Sequence, residues 1–254
     1  MYEHPITFQN IRIYPLGLSD AFRLIIGHIG KVNGIYFCFL NVHLISEAQR
    51  DNSLKQVLNE SAGNFPDGMG VALALKFLGY HFKGRVRGAD LVLMLCKFAS
   101  TVGLRIFLLG STGKNLVTLK RLLQDSYKGL NIVGAISPPF RPLSKEEDKR
   151  VIDQINNSEA DILLVSLGAP KQERWMHEHR GKIRPIQLGV GAAFDFITGA
   201  VRQAPHWMQN VGFEWLYRLP QQPRKTASRM LLAPGFLLKT IIEVSRKRQE
   251  NNAT

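Results

Sequence analysis

Two hydrophobic rhythms alternate through the middle of this chain. Leu104–Leu109, Asn131–Ile136, Asp161–Gly168 and Pro185–Gly191 are short apolar runs, the pattern of buried strands. Between them the spacing changes to that of helices. Lys114–Lys128 carries Leu116, Leu119, Leu122 and Leu123 on one face. Ser144 caps a further helix to about Asn157, with Glu147 at the capping-box position. Another helix follows Pro170, a residue tolerated in a first helical turn because its missing N–H has no partner there. The order βαβαβαβ predicts an α/β, Rossmann-like parallel sheet with helices on both faces.

The first half is more mixed. Ser19 can cap a helix through Ile29, and Ile35–Asn41 reads as a strand followed by a helix through Ala48 and Leu54. Asp67-Gly68-Met69-Gly70 and Gly88-Ala89-Asp90 each open a helix. These patterns predict a single α/β body over residues 1–200. A basic, amphipathic helical C-terminal appendage over 201–254 follows.

Composition narrows the class. The 254 residues are 45% hydrophobic and 21% charged, which is globular rather than disordered. Cys38 and Cys96 lie in apolar surroundings without CxxC or Cys/His spacing, and read as buried free thiols of a reducing compartment. No segment has the apolar length of a membrane span and the N-terminus has no signal pattern, so a cytoplasmic protein is expected.

The net charge of +13 is concentrated late. From Arg218 to Arg248 eight basic residues interleave with Leu, Ile, Met and Phe, and Glu243 is the one acid. Such a tail can lie on an anionic membrane. It can equally pack on its own domain with its charges solvated, or bind nucleic acid electrostatically.

Candidate chemistry gathers at strand ends. Asp161–Gly168 runs into a helix whose first-turn N–H groups face the strand's carboxyl end, where parallel sheets bind nucleotides and helices favour phosphate. Gln172 and Glu173 lie in that turn. Asp67 stands between Pro66 and Gly68, either a turn or N-cap aspartate or a carboxylate aimed into a ligand site as a general base. Arg85 and Arg87 precede a helix start and can meet phosphate or stay solvated, and Asn41 ends a strand. Asp195, framed by Phe194 and Phe196, needs a partner, a ligand hydroxyl or base as readily as backbone N–H groups. Gly110-Ser-Thr-Gly113 is only half of a phosphate loop. No Asp-x-Asp metal clamp occurs, so a leaving diphosphate would be met by arginines and helix dipoles.

In order, FPDGMGV, RVRGADL, LRIFLLGS, SLGAPKQERW, GVGAAFDFITG and GFEWLYRLPQQPRK make a specific set. The chain resembles the WecG/TagA/CpsF family of bacterial glycosyltransferases from about Tyr14 to Leu232. The resemblance implies a UDP-sugar donor, a polyprenyl-diphosphate-linked sugar acceptor, and inversion without a bound metal or other cofactor. It also implies peripheral attachment to the inner face of the cytoplasmic membrane and a role in exopolysaccharide or other cell-surface polysaccharide assembly. Nucleic acid is not an expected partner, and self-association through the α/β body is compatible with the resemblance.

Carried onto this sequence, the resemblance makes Asp67 the base and places Asn41 near the donor sugar. Arg85, Gln172, Glu173 and Asp195 fall on its donor-binding motifs, and Arg218, Arg224 and Arg229 match appendage arginines that fold over the diphosphate. Two positions depart from the pattern. Phe39 stands where many relatives have Thr, which implies a donor other than N-acetylmannosamine, such as a neutral hexose or a hexuronic acid. Gln203-Ala204-Pro205 stands for Arg-Ala-Pro, with Arg202 one place earlier. The competing readings are an α/β enzyme of RNA methyltransferase type, favoured by the charge alone, and a non-catalytic glycolipid-binding scaffold.

Overall fold

The computed structural model describes residues 4–82, 84–205, 207–208, 214–221 and 223–252. A parallel six-stranded sheet flanked by helices organises them, an α/β, Rossmann-like arrangement. In chain order the strands are β1 (Ile6–Phe8), β2 (Ile11–Ile13), β3 (Tyr36–Leu40), β4 (Gly63–Pro66), β5 (Arg105–Gly110), β6 (Asn131–Ile136), β7 (Ile162–Ser166) and β8 (Ile186–Gly189). The order across the large sheet is β4-β3-β8-β7-β5-β6, and β1 and β2 form a separate antiparallel hairpin. Strands β3, β7 and β8 are buried along their whole length, which is why they read as mostly apolar runs, with Gln187 a buried exception in β8.

The chain divides into two compact units. Unit 2 comprises Ser19–Cys38 and Arg87–Arg202. It holds the regular β/α alternation, with α5 (Gly88–Val102), α6 (Gly113–Ser126), α7 (Lys145–Asn157), α8 (Lys171–Glu178) and α9 (Ala193–Ile197). Helix α7 starts on the expected capping box: Ser144 Oγ accepts from the Glu147 N–H, and the Glu147 carboxylate accepts from the Ser144 N–H. A Cβ on Gly88 would stand 2.7 Å from the Val190 carbonyl oxygen, so α5 enters against the end of β8. Helices α7 and α8 are joined by a buried staple, in which His179 Nε2 lies 2.7 Å from Asp148 Oδ2 and the His179 ring stacks on Trp175 at 4.4 Å.

Unit 1 comprises Met1–Leu18, Phe39–Val86 and Gln203–Thr254. The C-terminal segment therefore groups with the early part of the chain. This unit contains α2 (Val42–Ala48), α3 (Asn52–Asn59), α4 (Met69–Phe77), α10 (Glu214–Arg218), α11 (Pro223–Met230) and α12 (Ala233–Asn252), while α1 (Leu18–Ile26) falls almost entirely in unit 2. The single helix expected through Ala48 and Leu54 is two. Asp51 takes an extended backbone and its side chain caps α3 by accepting from the Leu54 N–H, so the chain turns there instead of continuing.

The hairpin turn Gln9-Asn10 has positive φ at both residues, as a two-residue turn that follows strand twist requires. Helix α12 locks it. The Gln9 N–H donates to Glu243 Oε1 at 2.8 Å, and Gln9 Nε2 donates to Thr240 Oγ1 at 3.1 Å. Phe236 completes the contact edge-to-face on Phe8. Cys38 and Cys96 are both free and buried, and burial raises both thiol pKa values, that of Cys96 to about 12.

Candidate active site

In unit 1 the carboxyl ends of β3 and β4 bring three candidate residues together. The Asp67 N–H donates to the Leu40 carbonyl at 2.7 Å, and the Val86 N–H donates to the Pro66 carbonyl at 2.8 Å. These bonds extend the strand pairing one residue beyond β4 and set Asn41, Asp67 and Arg85 at neighbouring chain ends. Gly68 has φ +91°, open to glycine but strained for other residues, and leads straight into α4. A Cβ on Gly68 would stand 3.8 Å from Asn41 Cβ, and one on Gly70 would meet Val42 Cγ2 at 2.6 Å. The bend bearing Asp67 is thus packed directly on the segment bearing Asn41.

Asn41 Oδ1 accepts from the Leu44 N–H at 3.0 Å and caps α2, which leaves its amide nitrogen as the group that can address a ligand. Arg85, one-tenth exposed, forms an ion pair with Glu214 on α10. Phe39 faces inward, 5% exposed, with its ring 5.8 Å from that of Phe65.

In unit 2 the ends of β5, β7 and β8 carry the remaining candidates. Gln172 is 2% exposed and uses both ends of its amide. Its Nε2 donates to the Gly189 carbonyl and to Glu173 Oε1, each at 2.8 Å. Its Oε1 accepts from the N–H groups of Gly168 and Gly191 at 3.3 and 3.2 Å. One side chain therefore fixes the loop after β7 against the loop after β8. Glu173 is fully buried, and among the described residues Oε2 has no hydrogen-bond partner. Burial pushes its carboxyl up to about 7, against hydrogen bonds from Gln172 and from its own N–H that favour the charged form.

Asp195 lies on α9 beside the turn after β5. Its Oδ1 accepts from Asn115 Nδ2 at 2.8 Å and from Ser111 Oγ at 3.1 Å. Ser111 has φ +59°, and Gly110 has φ +113° with the Ser166 carbonyl 2.3 Å from where a Cβ would stand. Only glycine at 110 allows that approach. The result is a polar cluster at adjacent strand ends, of the kind that addresses hydroxyl or amide groups of a ligand.

A family model described as Glycosyl transferase WecG/TagA/CpsF family matches residues 6–250. The chain belongs to the WecG/TagA/CpsF family. It is a glycosyltransferase of cell-surface polysaccharide biosynthesis. A Bacillus subtilis (strain 168) protein named N-acetylglucosaminyldiphosphoundecaprenol N-acetyl-β-D-mannosaminyltransferase is 28% identical over 244 residues, covering 95% of this chain and 93% of that one. A Bacillus spizizenii (strain W23) protein of the same name is 28% identical over 213 residues, covering 83% of this chain and 80% of that one.

Against the family motifs, Asn41, Asp67 and Arg85 fall in unit 1, and Gln172, Glu173 and Asp195 in unit 2. Arg218, Arg224 and Arg229 lie on helices whose backbone is described, but their side chains lie outside the described part. Sequence reasoning did not single out Ser111 and Asn115 as partners of Asp195. Their signal was the Gly110–Gly113 turn, whose following helix carries Asn115 on the side of Ser111. Glu214, the partner of Arg85, lies in the quoted GFEWLYR motif without having been assigned a role.

Proposed function

We propose that this glycosyltransferase moves a sugar from a UDP-sugar donor to a sugar carried on a polyprenyl diphosphate, with inversion and without a metal. The observation that carries the reading is the Asp67 bend, hydrogen-bonded to Leu40 and packed on Asn41. The Asp67 carboxylate takes the proton from the acceptor hydroxyl as that oxygen bonds to the anomeric carbon. The bond from that carbon to the UDP oxygen breaks in the same displacement, and its electron pair leaves with UDP. A single displacement inverts the centre and needs no enzyme nucleophile.

The leaving diphosphate carries the developing charge, and Arg218, Arg224 and Arg229 are assigned to neutralise it. Asp195, Ser111 and Asn115 supply the hydrogen-bonding set assigned to the nucleoside, and Gln172 with Glu173 holds the glycine loops beside it. The acceptor class is taken from the two relatives, whose printed name specifies a sugar on diphosphoundecaprenol. Among the described residues no helix is long and apolar enough to cross a membrane. A lipid-linked acceptor then requires docking from the aqueous side, assigned here to the basic, apolar α12 at the inner face of the cytoplasmic membrane.

The donor sugar is read as other than N-acetylmannosamine. Phe39 places a buried ring, not a hydroxyl, two residues before Asn41. The test is a panel of UDP-sugars offered in competition with a polyprenyl-diphosphate-linked sugar, with product masses measured. Preference for UDP-N-acetylmannosamine overturns the donor reading, and the absence of any glycosyl transfer overturns the function.

A further inference from the structure

Helix α4 begins two residues after Asp67, and it is apolar nearly all round: MGVALALKF. Val71, Ala72, Ala74 and Leu75 face the core of unit 1. On the opposite side Leu73 is 40% exposed and Phe77 69% exposed, at the i, i+4 spacing of one helical face. Tyr80 follows three residues after α4 ends, past the turn at Gly79 with φ +86°. A soluble helix normally turns polar residues outward, so among the described residues this face is left uncovered.

Charge narrows the partner. Of the cations between Asp67 and Asp90, Arg85 already pairs with Glu214 and Arg87 with Asp90. Lys76 is itself exposed on α4. Exposed apolar side chains beside an exposed lysine suit an anionic lipid surface, where the ring and methyls enter the headgroup boundary and the amine meets phosphates. The segment just after α4 meets α12. Lys247 Nζ sits 3.9 Å above the centroid of the Tyr80 ring. Leu237, Leu238, Ile241 and Ile242 of α12 are likewise turned outward.

We propose that α4 is a second lipid-contacting element, inserting Leu73 and Phe77 into the interface of an anionic bilayer. This rests on the membrane-surface part of the function proposed above and adds a site in the α/β body to the one on α12. Its consequence is positional. The helix that roots Asp67 is itself held at the bilayer, so the base stands at a fixed height from the surface where a lipid-borne acceptor presents its hydroxyl.

The test uses the full chain, the double variant Leu73→Ser/Phe77→Ser, and acceptor-free vesicles of phosphatidylcholine with or without phosphatidylglycerol. Sedimentation should show the double variant about tenfold or more weaker on the anionic vesicles. Its melting temperature and its turnover on a water-soluble acceptor should match the parent. Phe77→Cys carrying a polarity-sensitive fluorophore should shift to the blue on the same vesicles, since both native cysteines are buried. Unchanged affinity of the double variant, or no spectral shift at position 77, overturns the proposal while leaving attachment through α12 standing. Unchanged vesicle affinity with a raised KM for a long-chain acceptor in detergent also overturns it, and assigns the face to the acceptor's own chain. A parent protein that binds no vesicles removes the membrane reading altogether, whatever its transferase activity.

Discussion

The backbone N–H of Asp67 donates to the carbonyl of Leu40 at 2.7 Å, which ties the proposed base to the end of β3, one residue before Asn41. The bond involves only main-chain atoms, so it survives a change of the side chain. Asp67→Asn keeps the shape and removes the basicity. Turnover should fall by about 10²- to 10⁴-fold, the usual contribution of a general base. UDP affinity, measured by calorimetry, should stay within about twofold. Transfer at the parental rate would show that another group accepts the proton.

Asn41 combines a structural and a proposed chemical role. Its Oδ1 caps α2, and loss of such a cap costs about 1 kcal/mol. Asn41→Ser retains an oxygen able to cap while removing the amide nitrogen. The melting temperature of Asn41→Ser should therefore stay close to the parent's, and kcat/KM for the donor should drop at least tenfold. Asn41→Ala should lose both. If Asn41→Ser transfers sugar as well as the parent does, the residue is a cap and nothing more.

The parallel part of the fold was legible because buried strands and amphipathic helices leave different periods. Strand β6 matches its apolar run residue for residue, and the Ser144–Glu147 box marks the start of α7. Strand β4 was hidden because Gly63-Asn64-Phe65-Pro66 has one large apolar residue and gains its place from pairing and burial, not from pattern. Hairpin strands β1 and β2 are three residues each, too short for a period to register. At the site, Asp67, Asn41 and Asp195 announced themselves by standing at strand ends or in apolar frames. Their partners did not. That Ser111 and Asn115 both reach Asp195 depends on chain separations of 84 and 80 residues, which no local pattern encodes. Nor could the motif PKQE tell that Gln172 spends its amide on three glycines and a glutamate.

The C-terminal segment should contribute twice, to attachment and to chemistry. Residues 203–254 belong to the compact unit that holds Asp67, and α12 packs on the hairpin through Phe236, Thr240 and Glu243. Truncation before Arg218 should release the protein from anionic vesicles and also lower turnover on a soluble acceptor analogue by at least tenfold. The triple change of Arg218, Arg224 and Arg229 to Gln should lower that turnover with less effect on folding. Full activity of both variants on the soluble analogue would confine the segment to attachment.

Glu173 should leave a signature in stability against pH. In the unfolded chain its carboxyl ionises near the ordinary value of about 4.3. In the folded protein burial raises it to about 7, with Oε2 unpartnered among the described residues. Between those values the unfolded chain has lost the proton that the folded chain keeps. The native state then binds more protons than the unfolded state, so stability falls as pH rises through this window and levels off above it. Glu173→Gln cannot ionise and removes that slope. Its buried amide costs some stability at every pH, so the difference between the two curves is the readout, not either value alone. Relative to the parent, Glu173→Gln should gain on the order of 3 kcal/mol between pH 4.5 and pH 8, measured by urea unfolding. Parallel curves for the two proteins would mean that Glu173 is ionised in the native state and that an unseen partner satisfies Oε2.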